Sequence, residues 1–361
     1  MNIWEWIRDF RHQAEKIGDR DRLRLTEFHP RAYYTFGEAD PDQALALYEQ
    51  GRNLALRLNE PGWVLFFDDW RVSTLLWFKR DYRNVLDLAV RNALEARRPE
   101  HEHVPLRFIV RRNLICAYQL IDPLGYADRI KAALDELEAD FEMVGEEKYL
   151  VQDCRMWLDF ELGDLDSAQE RALRVLTWAE KDAEDFDAAH YAIYACTLLC
   201  QVAWQRRDDA SIRLWAEAGQ ELITGTDHKM ERCEFSLWQA LVARREGREK
   251  EARSLCRVAQ TQAGRLGMPP SRGYFDPLCA YHLAGDQPER ALETRRRERA
   301  LIAGRGQLAD ECRNQVEICR LLAQMNLPLQ AELQRAYECA ARLRAPARYL
   351  TDLQAIARTT A

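Results

Sequence analysis

The chain has 361 residues, 47% hydrophobic and 31% charged, with a mean hydropathy of −0.49. That balance excludes an intrinsically disordered chain and points to a soluble, folded one with enough apolar residues for a long core. The formal net charge of −7 is unevenly spread. Residues 1–240 hold 31 Lys+Arg against 45 Asp+Glu, and residues 241–361 hold 21 against 14, so the acidic first two-thirds speaks against wholesale nucleic-acid binding.

Helical periodicity runs through the whole chain, and strand alternation is nearly absent. Residues 2–17 read as an amphipathic first helix, with Ile3, Trp4, Ile7, Phe10 and Ala14 on one side. No basic segment followed by a long apolar run precedes it, so a secretory signal is not expected. A second helix is expected from Arg20 to Gly37. Asp40-Pro41-Asp42-Gln43-Ala44 then reads as a helix start, with Asp40 as cap and Pro41 at the first helical position.

Comparable joints follow at Asp81 to Val85, Leu124 to Ala127, Gly163 to Ala168, Asp208 to Ala210, Gly247 to Ala252, Gly285 to Ala291 and Asn326 to Ala331. The anchor positions 44, 85, 127, 168, 210, 252, 291 and 331 recur about every 41 residues. This predicts about eight antiparallel helix pairs stacked in one direction. The best-formed joint is Gly163-Asp164-Leu165-Asp166-Ser167-Ala168. Gly163 can close one helix in the left-handed conformation, and Asp164 can cap the next.

That joint resembles the Gly-Asp-aromatic-x-x-Ala turn of tetratricopeptide repeats, as do Asp81 to Val85 and Gly247 to Ala252. The resemblance covers roughly residues 20–344, with a period longer than the family's usual 34. It implies an all-α fold: a right-handed α-solenoid whose first helices line a concave groove. Residues 1–19 would form an N-terminal capping or docking helix, and residues 345–361 a C-terminal cap. Gly264 to Gly273 is the most loop-like segment and a candidate hinge. Long-repeat chains of this type resemble bacterial peptide sensors and scaffold proteins.

The uncharged stretch from Ala188 to Gln205 sits in register with the repeats and reads as a buried helix rather than a membrane span. Ten cysteines are scattered singly with no CxxC, which suits free core thiols in a reducing cytoplasm. Cys196 and Cys200, one turn apart, fit the same packing role. No phosphate-cradling motif occurs. Gly304 to Ala309 matches GxGxxA, but a helix precedes it instead of the strand that a dinucleotide site requires. His101-Glu102-His103 reads as a solvated loop without further ligands at metal spacing. Neither a catalytic set nor a cofactor or metal site is expected.

Binding features stand out more clearly. The helix from Trp63 to Phe78 carries Trp70 and Trp77 on one face, as inter-repeat core or as an aromatic groove wall. The next first helix holds Arg107, Arg111 and Arg112. Arg107 and Arg111 repel at one-turn spacing and call for an acidic partner, either Asp68 and Asp69 or the carboxylates of a bound peptide. Tyr118 and then Tyr191 or Tyr194 could continue such a groove. Arg295, Arg296, Arg297 and Arg299 form the strongest basic run, as a solvated face or a dock for acidic groups. Those groups could include the acidic N-terminal region of a second copy. Trp4 and Trp6 lie on adjacent faces of the first helix, which caps the array or docks into a partner.

The expectation is a non-enzymatic, cytoplasmic adaptor that holds a peptide or partner subunit in its groove, without nucleic acid or membrane as partner. Two alternatives remain open at this stage. One is a signalling-peptide receptor whose solenoid changes pitch on binding. The other is a groove that binds nucleic acid or hides an enzyme.

Overall fold

The computed structural model describes residues 3–37, 39–144, 148–181, 186–224, 226, 228–266 and 272–359. Among them no strand occurs, and within each of two compact units the helices pack largely on their sequence neighbours, as in a solenoid. Helix α1 (Ile3–Ile17) leads. Eight antiparallel pairs follow: α2 (Arg20–Pro30) with α3 (Pro41–Leu58), α4 (Pro61–Ser73) with α5 (Tyr82–Glu95), α6 (Arg107–Ile121) with α7 (Ala127–Val144), and α8 (Lys148–Leu162) with α9 (Leu165–Lys181). The later pairs are α10 (Phe186–Gln205) with α11 (Asp209–Leu222), α12 (Lys229–Arg245) with α13 (Glu249–Arg265), α14 (Arg272–Ala284) with α15 (Pro288–Ile302), and α16 (Leu308–Gln324) with α17 (Gln330–Ala341). Helix α18 (Ala347–Thr359) ends the array. Of the candidate hinge, residues 267–271 lie outside the described residues.

One register explains why the pairs repeat. The fourth residue of each second helix is Ala44, Val85, Ile130, Ala168, Ile212, Ala252, Ala291 or Leu333, and every one is buried. Three sequence anchors are thereby corrected. Ala127 is only half-buried, and Ala210 and Ala331 are exposed, because α7, α11 and α17 turn a larger residue into the crossing, two or three positions on. The crossing needs an apolar side chain at a fixed depth in the helix, and alanine is one way to supply it.

The joints behave as their chemistry dictates. Gly163 has φ +83°, and Asp164 Oδ1 accepts the Ser167 N–H at 3.1 Å. Asp40 and Asp208 cap α3 and α11 in the same way, through the N–H groups of Gln43 and Ser211 at 3.1 Å. Arg80, Arg207, Asp286 and Asn326 also take left-handed backbone at joints, with φ between 52° and 58°. A β-carbon there costs about 1–2 kcal/mol, so packing of the flanking helices holds these turns closed.

A second register lock joins successive pairs. Gly51, the eleventh residue of α3, faces the ring of Phe67, the seventh residue of α4. Four pairs later, Gly219 of α11 faces Phe235 of α12 at the same two positions. A β-carbon on either glycine would overlap a fully buried ring.

The chain divides into two compact units. The first comprises Met1–Ile121, Asp128–Glu146 and the loop Gly304–Gln307. Its core is aromatic: Trp63, Phe66 and Phe67 pack with Tyr48, Leu47 and Leu25. Trp6 and Phe10 of α1 each lie 5.0 Å from the Trp63 ring and pin α1 to the array. The loop Gly304–Gln307 joins this unit through the Arg83 N–H, which donates to the Arg305 carbonyl at 3.0 Å.

The second unit comprises Asp122–Ala127, Glu147–Ala303 and Leu308–Ala361. Its apolar clusters centre on Ile193, Phe235 and Trp238, on Leu237, Tyr274 and Phe275, and on Val316, Leu333 and Leu353. The short segment from Asp122 is tied in by its carboxylate, which accepts the N–H groups of Gly125 at 3.0 Å and Arg344 at 2.9 Å. Helix α10 is buried along most of its length, including Cys196 and Cys200. Among the described residues no helix is long and apolar enough to cross a membrane. The ten cysteines are free, and nine are buried.

Candidate functional site

Two first helices of the first unit do not end as α-helices. Helix α2 continues into a π-helical stretch, Arg31–Phe36, and α4 into another, Thr74–Lys79. Each has a local cause. Pro30 removes a backbone donor at the end of α2. At the end of α4 the Thr74 hydroxyl donates to the Trp70 carbonyl at 2.7 Å and competes with the backbone ladder. The wider winding re-aims the side chains it carries, which is why such turns recur at functional positions.

Here it turns aromatic rings outward. Tyr33 is 38% exposed, Tyr34 78% and Trp77 41%, while Trp4 on α1 is 49% exposed. Trp4, Tyr33 and Tyr34 join a buried aromatic chain. The His29 ring lies 4.2 Å from Trp70, 5.6 Å from Trp4 and 5.6 Å from Tyr33. Tyr33 lies 5.3 Å from Trp70, 5.1 Å from Tyr34 and 5.9 Å from Phe78. His29 shares a hydrogen bond with the Tyr48 hydroxyl at 3.2 Å, and burial lowers its pKa to about 4, so it stays neutral near pH 7. Trp70 is half-buried within this chain, and Trp6 belongs to the core around Trp63.

One guanidinium group borders Trp77. Arg112 lies 5.8 Å from the Trp77 ring. Asp69 is buried beneath, accepting the Asn113 Nδ2–H at 2.7 Å, and burial raises its carboxyl to about 7 against the pull of that bond and of Arg112. The expected pairing of Asp68 with this arginine set needs correction, while Asp69 does lie under the attraction of Arg112. Asp68 accepts from Arg52 at 2.9 Å and Arg71 at 2.8 Å, and Arg111 turns to Glu136 at 3.7 Å. Arg107 packs 5.6 Å from the Phe108 ring. Its Nε is buried without a hydrogen-bond partner, and no carboxylate pairs with it among the described residues. Tyr118 is buried in α6.

In the second unit Tyr191 is buried and stacks on Tyr149 at 5.9 Å. Tyr194 packs against His190 at 4.5 Å and His228 at 5.9 Å. His190 Nδ1 and His228 Nε2 share a hydrogen bond of 3.1 Å. The basic run of α15 is split by helical periodicity. Arg296 and Arg297 are exposed, while Arg299 donates to Glu332 at 2.8 Å.

Arg295 points inward and is 4% exposed. It contacts Asp276 at 2.8 Å and Glu298 at 2.7 Å, and Arg313 closes the ring to the same two carboxylates at 2.9 and 3.0 Å. Burial alone would favour a neutral guanidinium, but Asp276 and Glu298 hold Arg295 charged. The four groups balance in charge, so this ring replaces apolar core between α14, α15 and α16 and offers nothing outward.

Only one group of metal-type side chains converges among the described residues: Glu95, Glu100 and His101. His101 is buried, unlike the solvated loop that the sequence suggested. Arg98 already lies 3.2 Å from Glu95 and 3.9 Å from Glu100, and His101 Nδ1 lacks the second-shell partner that orients a metal ligand. The group is an ion-pair cluster.

Sequence reasoning passed over His29, Tyr33 and Tyr34. The signal was present as two adjacent aromatic pairs, Tyr33-Tyr34 and Trp77-Phe78, each shortly before a joint. No protein-family model matches the chain, and no curated protein matches it.

Proposed function

We propose that the protein is a non-enzymatic, cytoplasmic adaptor of the tetratricopeptide type, which holds an acidic segment of a partner protein against the aromatic face of its first unit. The observation that carries this reading is the pair of π-helical stretches that turn Tyr33, Tyr34 and Trp77 toward solvent, in the unit where Trp4 of α1 is also exposed. Aromatic rings are effective anchors because they bury a large area at little conformational cost. At about 25 cal/mol per Å2, covering some 80 Å2 of exposed ring contributes about 2 kcal/mol per anchor. Arg107 and the Arg112–Trp77 pair supply donors for carboxylates, which favour encounter and register more than raw affinity.

Selection of displayed random peptides on the intact chain tests the reading. Enriched peptides should carry Asp or Glu beside apolar anchors. Their affinity should fall at least about tenfold, or about 1.4 kcal/mol, in the Tyr34→Ala, Trp77→Ala double variant. Enrichment without acidic residues, or affinity unchanged in that variant, counts against it.

A further inference from the structure

The side of the first unit formed by α3, α4 and α5 carries a separate feature. A cleft of about 470 Å3 opens there and continues into a second of about 470 Å3 through Glu49, Arg71, Leu88 and Arg91. Such volumes fall in the range of small-molecule sites. The second cleft has buried Leu65 and Leu88 as its floor, with half-buried Val64 and exposed Leu56 at its side.

Most polar groups on its walls are satisfied internally. Arg52 and Arg71 pair with Asp68, Arg71 also with Glu49 at 3.0 Å, and Glu95 with Arg98 at 3.2 Å. Two groups are not. Asn92 is 4% exposed, yet its Nδ2 has no hydrogen-bond partner. Arg91, beside it, is exposed and makes no ion pair among the described residues, not even with Asp87 one turn earlier.

The helix register shows how unusual Asn92 is. It is the eleventh residue of α5. The same position holds Gly51, Leu137, Val175, Gly219, Ala259 and Ala340 in six other second helices, and Glu298 in α15. Glu298 is fully paired with Arg295 and Arg313. Asn92 alone places a buried polar group there without a partner, at a cost of about 1–3 kcal/mol for the orphaned donor. The buried amide N–H lacks an acceptor, and the exposed Arg91 guanidinium lines the same cleft, with Leu65 and Leu88 among its apolar walls.

We propose that this cleft binds an aliphatic carboxylate, with its carboxylate on Asn92 Nδ2 and Arg91 and its hydrocarbon on Leu65 and Leu88. The same chemistry is presented by a free aliphatic acid and by the C-terminus of a peptide ending in an aliphatic residue. The site is independent of the aromatic face, so either can fail without the other.

Calorimetric titration of the full chain with octanoate, N-acetyl-leucine and N-acetyl-leucinamide tests it. Saturable binding of either acid is expected, with the amide at least about tenfold weaker. Tighter octanoate identifies a free acid as the natural class, and tighter N-acetyl-leucine a peptide terminus. Arg91→Gln, at an exposed position, and the near-isosteric Asn92→Asp should each weaken the acid at least about tenfold. Asn92→Leu should abolish binding while raising the melting temperature, because the orphaned amide is gone. Absence of saturable binding by both acids, equal binding of the amide, or full binding by Arg91→Gln and Asn92→Asp would overturn the proposal.

Discussion

Replacing Asp69 with asparagine should change how the first unit responds to pH. Asp69 is 2% exposed, and burial moves its carboxyl from the ordinary 3.8 to about 7. The fold therefore holds the proton more tightly than the unfolded chain does. The stability this confers is fully present below about pH 3.8 and is lost as pH rises to about 7. At about 1.4 kcal/mol per pH unit, the three-unit shift sets a ceiling of about 4 kcal/mol, of which about 2–3 kcal/mol falls between pH 5 and pH 8. His29 acts in the opposite sense. Its pKa is lowered to about 4 by burial, so its contribution is lost as pH falls from about 6.5 to about 4. The difference between variant and wild type isolates Asp69 from His29. Asparagine keeps an oxygen for the Asn113 Nδ2–H and cannot ionise. Urea unfolding followed by tryptophan fluorescence should show Asp69→Asn gaining about 2–3 kcal/mol on wild type between pH 5 and pH 8. A difference that stays constant over that range would refute the assignment of a buried, protonated carboxyl.

Two further substitutions test the register. Gly219→Ala drives a β-carbon into the Phe235 ring and should destabilise the second unit by about 1–3 kcal/mol, read as a lower urea midpoint; an unchanged midpoint would mean the ring has room to move. Arg207→Gly relieves the left-handed backbone at φ +58° and should raise the midpoint by about 1 kcal/mol of stability, whereas a loss would mean that the arginine side chain itself holds the joint.

Helix pairing was legible because its signals are local. Asp40, Gly163, Asp164 and Asp208 each announce a turn through their own backbone or cap chemistry. The depth of each crossing was less so, since Ile130, Ile212 and Leu333 fill it without the small residue that marks Ala44 or Ala168. The basic run at Arg295 to Arg299 looked like one surface in sequence. Its partners Asp276 and Arg313 sit on other helices, and nothing local marks Arg295 as buried. The outward turn of Tyr33, Tyr34 and Trp77 depends on π winding, which arises from the missing donor at Pro30 and the hydroxyl competition at Thr74 rather than from apolar periodicity. Asn92 gave no sequence signal, because a polar residue in a helix is ordinary until its burial is known.

Photocrosslinking most directly tests the claim that the first unit's aromatic face receives a partner. A benzoylphenylalanine at position 34 or 77 is compared with one at position 214, where Leu214 is 54% exposed on α11 of the second unit. Irradiation in the native cells should give discrete protein adducts at positions 34 and 77 and none at position 214, and Arg112→Gln should weaken them. Equal labelling at position 214, or no adduct at either aromatic position, would contradict the account.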